Sequence, residues 1–145
     1  MMLKDWYNIL VNRFPELTLA VSGTYALQLQ GIDLKREPHD LDLMIVHSYN
    51  TKVLEKYRRF FRFLYKYQGP YIDWMEEKWM TSDEDFITID GILCSTVEAI
   101  IKAKQILIDS GRLSKEKVEK HRNDIIEIEK QLRDGVEKLN NEPLS

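Results

Sequence analysis

Two aspartates, Asp40 and Asp42, stand two residues apart at the beginning of a short apolar run. Side chains alternate along a β-strand, so this spacing places both carboxylates on one face, with Cα atoms about 6.5–7 Å apart. At ~5 Å and an effective dielectric constant of ~20, the two charges repel by about 3 kcal/mol. A divalent cation between them relieves that repulsion, and Mg²⁺ prefers such oxygen ligands and usually brings substrate phosphates. The alternative is an ordinary strand start whose aspartates face water.

A second chemical feature precedes this pair. An apolar run over residues 17–21 is typical of a buried strand, and Ser22 and Gly23 turn it directly into a short helix over residues 24–30. Backbone N–H groups at a helix N-terminus favour anions, and a glycine without Cβ lets a phosphate approach closely. Together with the aspartates, this turn predicts a site for a metal-bound triphosphate, although each feature alone also fits an ordinary structural role.

Basic residues supply further candidates. Arg36, four residues before Asp40, could neutralise the aspartates or contact a phosphate. Lys102 and Lys104 could reach a triphosphate; alternatively, they form ion pairs between helices with Asp124. The third predicted helix also carries a group of charges that is either a solvated face or a local patch for a polyanionic acceptor: Lys52, Lys56, Arg58, Arg59, Arg62 and Lys66.

The elements that must position these residues follow from apolar periodicity and turn signals. Asp90 and Gly91 favour a tight hairpin turn, and Ser95 with Glu98 form a capping-box pattern at the next helix. The predicted helices cover about 3–14, 24–30, 51–67, 95–109 and 114–139, and the predicted strands about 17–21, 40–46, 71–75, 86–89 and 92–94. This order predicts an α+β fold, with helices packed on a small mixed sheet and two helices appended at the C-terminus.

Composition limits the class of protein. The chain has 145 residues, of which 43% are hydrophobic and 31% charged, with seven Tyr, five Phe and three Trp. This predicts a folded domain over residues 1–139 with a flexible tail at 140–145. The single cysteine excludes an intramolecular disulfide, and the net charge of −3 means that any basic surface is local. With no apolar run of about 20 residues, we expect no membrane span and a cytoplasmic location.

Four stretches carry a resemblance to a known family: VSGTYALQLQG (21–31), REPHDLDL (36–43), IDGILCSTVEAIIKAK (89–104) and KHRNDII (120–126). They resemble the nucleotidyltransferase superfamily of the DNA polymerase β type, in particular small bacterial and phage members related to abortive-infection toxins. The family pattern is a Gly-Gly or Gly-Ser turn opening a helix, followed by Arg-x-Thr-x-Asp-x-Asp with apolar residues after each aspartate.

The resemblance implies the nucleotidyltransferase fold and its chemistry. A hydroxyl attacks the α-phosphate of a nucleoside triphosphate (NTP) in line, and pyrophosphate leaves. Asp40, Asp42 and a third carboxylate would hold Mg²⁺ or Mn²⁺. That third carboxylate is Asp73, which would also accept the proton of the attacking hydroxyl, with Asp90 as its competitor. The implied nucleotide-binding residues are Ser22, Gly23, Arg36, Lys102 and Lys104.

Two departures from the family pattern favour a second hypothesis. Ser22 replaces the first glycine of the turn, and Pro38 replaces the usual threonine. Either change could mark a catalytically degenerate member that serves as a binding module, or a toxin–antitoxin component. The acceptor implied for an active member is RNA, a protein or a small molecule, and a homodimer or a partner protein is a further expectation.

Overall fold

A computed structural model describes residues 2–38, 40–46, 51–66, 72–76 and 83–141, with the side chains of 51, 61, 63–66 and 72–76 left out. The described helices are α1 (Leu3–Arg13), α2 (Gly23–Leu29), α3 (Thr51–Lys66), α4 (Val97–Asp109) and α5 (Lys115–Asn141). The described strands are β1 (Thr18–Ser22), β2 (Leu41–Val46), β3 (Ile72–Glu76), β4 (Phe86–Ile89) and β5 (Ile92–Ser95). The predicted α+β class is confirmed, while the predicted element ends at Tyr67 and Tyr71 lie outside the described residues.

The five strands form one mixed sheet in the order β3-β2-β1-β5-β4. β1 pairs antiparallel with β2 and parallel with β5, whereas β2 and β3 are parallel and β4 and β5 form the antiparallel hairpin. Helix α3 is the crossover that the parallel β2–β3 pair requires. The small mixed sheet expected from the sequence is therefore confirmed.

Both faces of the central strands are buried. Leu41, Leu43 and Ile45 of β2 point into the larger core, which α1, α2 and α3 cover. Met44 and Val46 point to the opposite face and pack in a smaller cluster with residues of β1 and α4. The strict alternation predicted for this strand is confirmed, and it puts Asp42 on the face of the smaller cluster.

Local turn chemistry explains how the chain enters β5 and α4. Asp90 and Gly91 have φ angles of 50° and 78°, as a type I′ turn requires, and the predicted tight turn is confirmed. The predicted capping box at Ser95 is wrong by one residue, because Ser95 ends β5 and pairs with Phe86. Thr96 is the N-cap instead, and its Oγ1 accepts a hydrogen bond of 3.1 Å from the Ala99 N–H.

Candidate functional site

Asp42 lies where β1 ends and β2 begins. In the antiparallel β1–β2 pair, Asp42 is opposite Ser22, the residue that precedes α2. The next residue, Gly23, has a φ of +66°, and a Cβ added there would overlap the Asp42 carboxylate. Only glycine fits this position, because a side chain would meet both an unfavourable backbone angle and the carboxylate. The fold thus holds Asp42, half-buried, against the first turn of α2.

Asp73 and Asp40 complete the predicted acidic set. The parallel register places Asp73 of β3 directly beside Asp42, so residues Ser22, Asp42 and Asp73 occupy matching positions on three consecutive strands. The side chain of Asp73 lies outside the described part of the structure. Asp40 is exposed and stands one residue before β2, so the prediction that the strand includes it is wrong by one residue. The β1–β2 ladder ends at the Ser22–Asp42 pair, because α2 begins at Gly23.

A fourth polar residue extends this row, and the sequence pattern had assigned it to a helix cap. Val21 pairs with Cys94 in the parallel β1–β5 register, which places Ser95 beside Ser22. Ser95 is fully buried, and its Oγ has no hydrogen-bond partner in the described structure. Ser22 is also buried. A row of oxygen-bearing residues, Ser95, Ser22, Asp42 and Asp73, therefore crosses four strands of the sheet.

These donors suit a hard divalent cation in type. Asp40 and Asp42 offer carboxylate oxygens, the ligands that Mg²⁺ prefers. Among the described side chains, which exclude that of Asp73, no three His, Cys, Asp or Glu residues cluster closely enough to hold a metal ion. The backbone register places Asp73 where a further carboxylate would stand beside Asp42.

Arg36 and Asp124 form an ion pair beside the same turn. The Arg36 guanidinium donates two hydrogen bonds to the Asp124 carboxylate, of 3.0 and 2.9 Å, and a third of 3.3 Å to Thr24 Oγ1 in the first turn of α2. Lys104 Nζ of α4 donates to the same carboxylate at 3.0 Å and lies 3.3 Å from His121 Nδ1. We call Arg36, Lys104, His121 and Asp124 the cationic cluster. It ties the loop after α2 to α4 and α5.

The charges of the cationic cluster shift one another's pKa values. Burial raises the pKa of Asp124, but the hydrogen bonds and charges of Arg36 and Lys104 outweigh burial and leave that pKa below its ordinary value. The hydrogen bonds to Asp124 raise the pKa of Arg36. Burial and the neighbouring Lys104 lower the pKa of His121. At neutral pH the cluster is therefore a carboxylate between two cations, with an uncharged imidazole next to it.

The remaining predicted residues lie elsewhere. Lys102 is exposed on α4 and, two residues from Lys104, faces a different side of that helix. Asp90, the competitor for the third carboxylate, is exposed in the turn between β4 and β5. Strand β4 of that hairpin is an edge strand of the sheet, three positions away from β2. The hairpin turn lies near the beginning of β1, whereas Ser22 lies at the end of β1. The structure therefore brings together Gly23, Ser22, Asp42 and the backbone of Asp73, with Arg36 nearby, and leaves out Lys102 and Asp90.

Comparison with known proteins found no family model, no curated protein and no solved structure that matches this chain. Among the described helices, none has both the length and the apolar character needed to cross a lipid bilayer. The function must therefore be argued from the residues and their geometry.

Proposed function

We propose that this chain is a nucleotidyltransferase-like protein that transfers a nucleoside monophosphate from a magnesium-bound NTP to a hydroxyl acceptor. One observation carries the proposal: Asp42 lies against Gly23, opposite Ser22 and in register with Asp73. This arrangement joins a strand–turn–helix to paired acidic positions, which is the juxtaposition that the nucleotidyltransferase resemblance implies. The α+β architecture with a mixed sheet is compatible with that family.

The acidic residues have distinct tasks in this proposal. Asp40, Asp42 and Asp73 would hold Mg²⁺ or Mn²⁺, which neutralises phosphate charge when it is bound. Asp73 would also accept the proton of the attacking hydroxyl, since a carboxylate within hydrogen-bond reach can act as a general base. Gly23 lets the Asp42 carboxylate lie against the first turn of α2, because it carries no side chain.

Arg36 is the cation best placed to meet a phosphate. Its guanidinium is fixed by Asp124 and reaches Thr24 in the first turn of α2, while 36% of its side chain remains exposed. Lys104 has only 12% of its side chain exposed and is engaged with Asp124 and His121. Lys104 would therefore act by holding Asp124, and Arg36 would contact the nucleotide directly.

Thermal unfolding with and without Mg²⁺ and each NTP tests binding. A ligand present at a hundredfold excess over its Kd stabilises the folded state by about 2.7 kcal/mol. We expect this stabilisation in the unaltered chain and its loss in Asp42→Asn, which keeps the size of the side chain. Asp134→Asn, at an exposed position on α5, is the matched control and should behave like the unaltered chain.

Transfer is tested with NTPs carrying ³²P at the α- or the γ-position. Nucleotidyl transfer labels the acceptor from the α-labelled NTP only, because the β- and γ-phosphates leave as pyrophosphate. Stabilisation by NTPs without transfer to RNA, protein or small-molecule fractions would instead support the nucleotide-binding module. The buried Ser22, in place of the usual glycine, and Pro38 favour that second candidate. Absence of both stabilisation and transfer would reject the proposal.

A further inference from the structure

Helix α3 carries a concentration of positive charge that the candidate site does not use. Between Lys52 and Arg62 there are five basic residues and one acidic residue, in a chain whose net charge is −3. We call the exposed basic residues of this helix the basic face: Lys52, Lys56, Arg58, Arg59 and Arg62. Lys52, Lys56 and Arg59 follow one another at spacings of four and three residues, which aligns them along one side of the helix.

The opposite side of α3 packs against the hydrophobic core. Tyr57 is fully buried, and Val53, Leu54 and Phe60 pack against the larger core. A basic amphipathic helix that inserts into a membrane, or that docks in a partner's groove, needs its apolar side for that contact. Since this side is occupied, α3 offers a partner its charges and not its apolar residues.

A cleft beside the basic face adds a further cation, Arg13, to this surface. Arg13 at the end of α1 lies over the Phe60 ring, 4.4 Å from its centre. The open cleft there has a volume of about 430 Å³, and Arg13, Lys56 and Arg59 are its basic lining residues. Phe14 and Phe60 also line it, and Glu16 is the one acidic residue among the described residues that do so. Three cations around one open cleft can hold the phosphates of a single-stranded nucleic acid.

The position of α3 connects this surface with the candidate site. Since β2 and β3 are parallel, α3 runs back from the end of β2 to the beginning of β3. The row of cations that starts at Lys52 therefore proceeds toward the edge of the sheet where Asp42 and Asp73 stand in register. A nucleic-acid strand bound along the basic face would extend toward that edge of the sheet.

We propose that the basic face and its cleft bind the phosphate backbone of single-stranded RNA. The choice of RNA rests on the proposed function, because RNA supplies hydroxyl acceptors along its length and at its 3′ end. The binding itself depends on charge and needs neither NTP nor metal. The inference thus names the acceptor class for the proposed transfer.

Fluorescence anisotropy with a labelled, unstructured 20-nucleotide RNA, without NTP or Mg²⁺, tests this surface. We expect Lys56→Glu/Arg59→Glu/Arg62→Glu to weaken binding at least 30-fold at 100 mM salt. Each lost contact with a single strand lowers the slope of log K against log salt by ~0.7, so we expect the slope to fall by about 2. The altered residues are exposed, and the Arg59–Glu55 ion pair that is lost lies on the surface, so the fold should be retained.

Lys130→Glu/Arg133→Glu/Lys138→Glu is the control variant, because it makes the same charge change on exposed residues of α5. We expect its affinity to stay within threefold of the unaltered chain. The proposal is overturned if the unaltered chain does not bind RNA in 50 mM salt, or if both triple variants lose affinity equally. Tighter binding of vesicles rich in anionic lipid would also overturn it.

Asp42→Asn separates this inference from the proposed function. We expect it to bind RNA as the unaltered chain does, because Asp42 lies on the opposite face of the sheet from α3. RNA binding without any nucleotidyl transfer would count against the proposed function and leave this surface in place. Transfer to RNA that persists in the α3 triple variant, with unchanged RNA affinity, would count against this surface alone.

Discussion

Two aspartates in this protein, Asp124 and Asp42, occupy opposite kinds of environment. Asp124 is 6% exposed and accepts hydrogen bonds from two cations that come from other parts of the chain. Asp42 is half-buried against a glycine, in a row where its neighbours on the adjacent strands are Ser22 and Asp73. The first aspartate balances charge inside the fold, whereas the second is placed by close steric contact beside another acidic position. Asp124 is therefore expected to matter chiefly for stability, and Asp42 chiefly for what the site binds.

The largest effect that this comparison predicts is the loss of the Asp124 carboxylate. Asp124→Ala leaves Lys104 buried without its anion and frees Arg36, and removing one partner of a buried ion pair costs about 3–5 kcal/mol. Because Arg36 is partly exposed, water replaces part of its lost pairing, so we expect a loss of about 3 kcal/mol. Urea unfolding at pH 7 measures it, with Asp134→Ala on the same helix as the control.

Acid should remove the same stabilisation from the unaltered chain. The pKa of Asp124 is lowered in the fold, so its contribution is complete above the ordinary aspartate pKa of about 3.9 and is lost as the pH falls through the lower folded value. A loss below 1 kcal/mol in Asp124→Ala, with no change in its acid sensitivity, would show that the cationic cluster does not stabilise the fold.

The second effect concerns the contact that places Asp42. Gly23→Ala would introduce a Cβ at a positive φ and into the Asp42 carboxylate. A left-handed alanine costs about 1–2 kcal/mol, and crowding adds to it, so we expect a loss of about 2–3 kcal/mol in urea unfolding. Gly31→Ala is the matched control, because Gly31 has a φ of +85° with nothing within 4 Å of its added Cβ. It should lose only the conformational part, about 1 kcal/mol.

The double variant Gly23→Ala/Asp42→Ala isolates the steric part of that loss. If the carboxylate is what crowds position 23, the alanine should cost no more in the Asp42→Ala background than it costs at Gly31. Equal costs in both backgrounds would mean that Asp42 is not held by Gly23. The argument that places Asp42 at the candidate site would then fail.

The local parts of the fold could be predicted from sequence because local physics determines them. The apolar run that begins at Asp40 marked the buried strand, and the Asp90–Gly91 pair predicted the hairpin turn. Both depend on residues close together in the chain. The helix cap shows the limit of this approach. Ser95 and Thr96 are adjacent candidates, and the pairing of Ser95 with Phe86 across the hairpin decides that Thr96 caps the helix.

The candidate site depends on contacts between distant residues. The sequence pattern singled out Asp42 and Asp73, but only the strand order shows that they are in register, since it depends on which strands become neighbours. Arg36 and Asp124 are 88 residues apart, and no periodicity links them. The buried position of Ser95 beside Ser22 likewise depends on the parallel β1–β5 pairing. The residue types indicated which chemistry to expect, but the order and pairing of the strands determine which of these residues lie side by side.

The smallest effect is a pH dependence that separates the cationic cluster from the Asp42 edge. Burial and Lys104 lower the pKa of His121 below its ordinary value of 6.5, so folding favours the neutral ring that accepts a hydrogen bond from Lys104. The stability that depends on this neutral ring is complete above about pH 6.5 and is lost as the pH falls through the folded pKa.

His121→Gln keeps an acceptor oxygen and removes the titration. Between pH 7 and pH 5, the free energy of unfolding should therefore fall further in the unaltered chain than in His121→Gln, because only the unaltered chain must protonate this ring. Asp42→Asn should retain the part of this pH dependence that His121 contributes, because no group of the cluster changes. Identical pH profiles for the unaltered chain and His121→Gln would show that protonation of His121 does not disturb the Lys104–Asp124 pair.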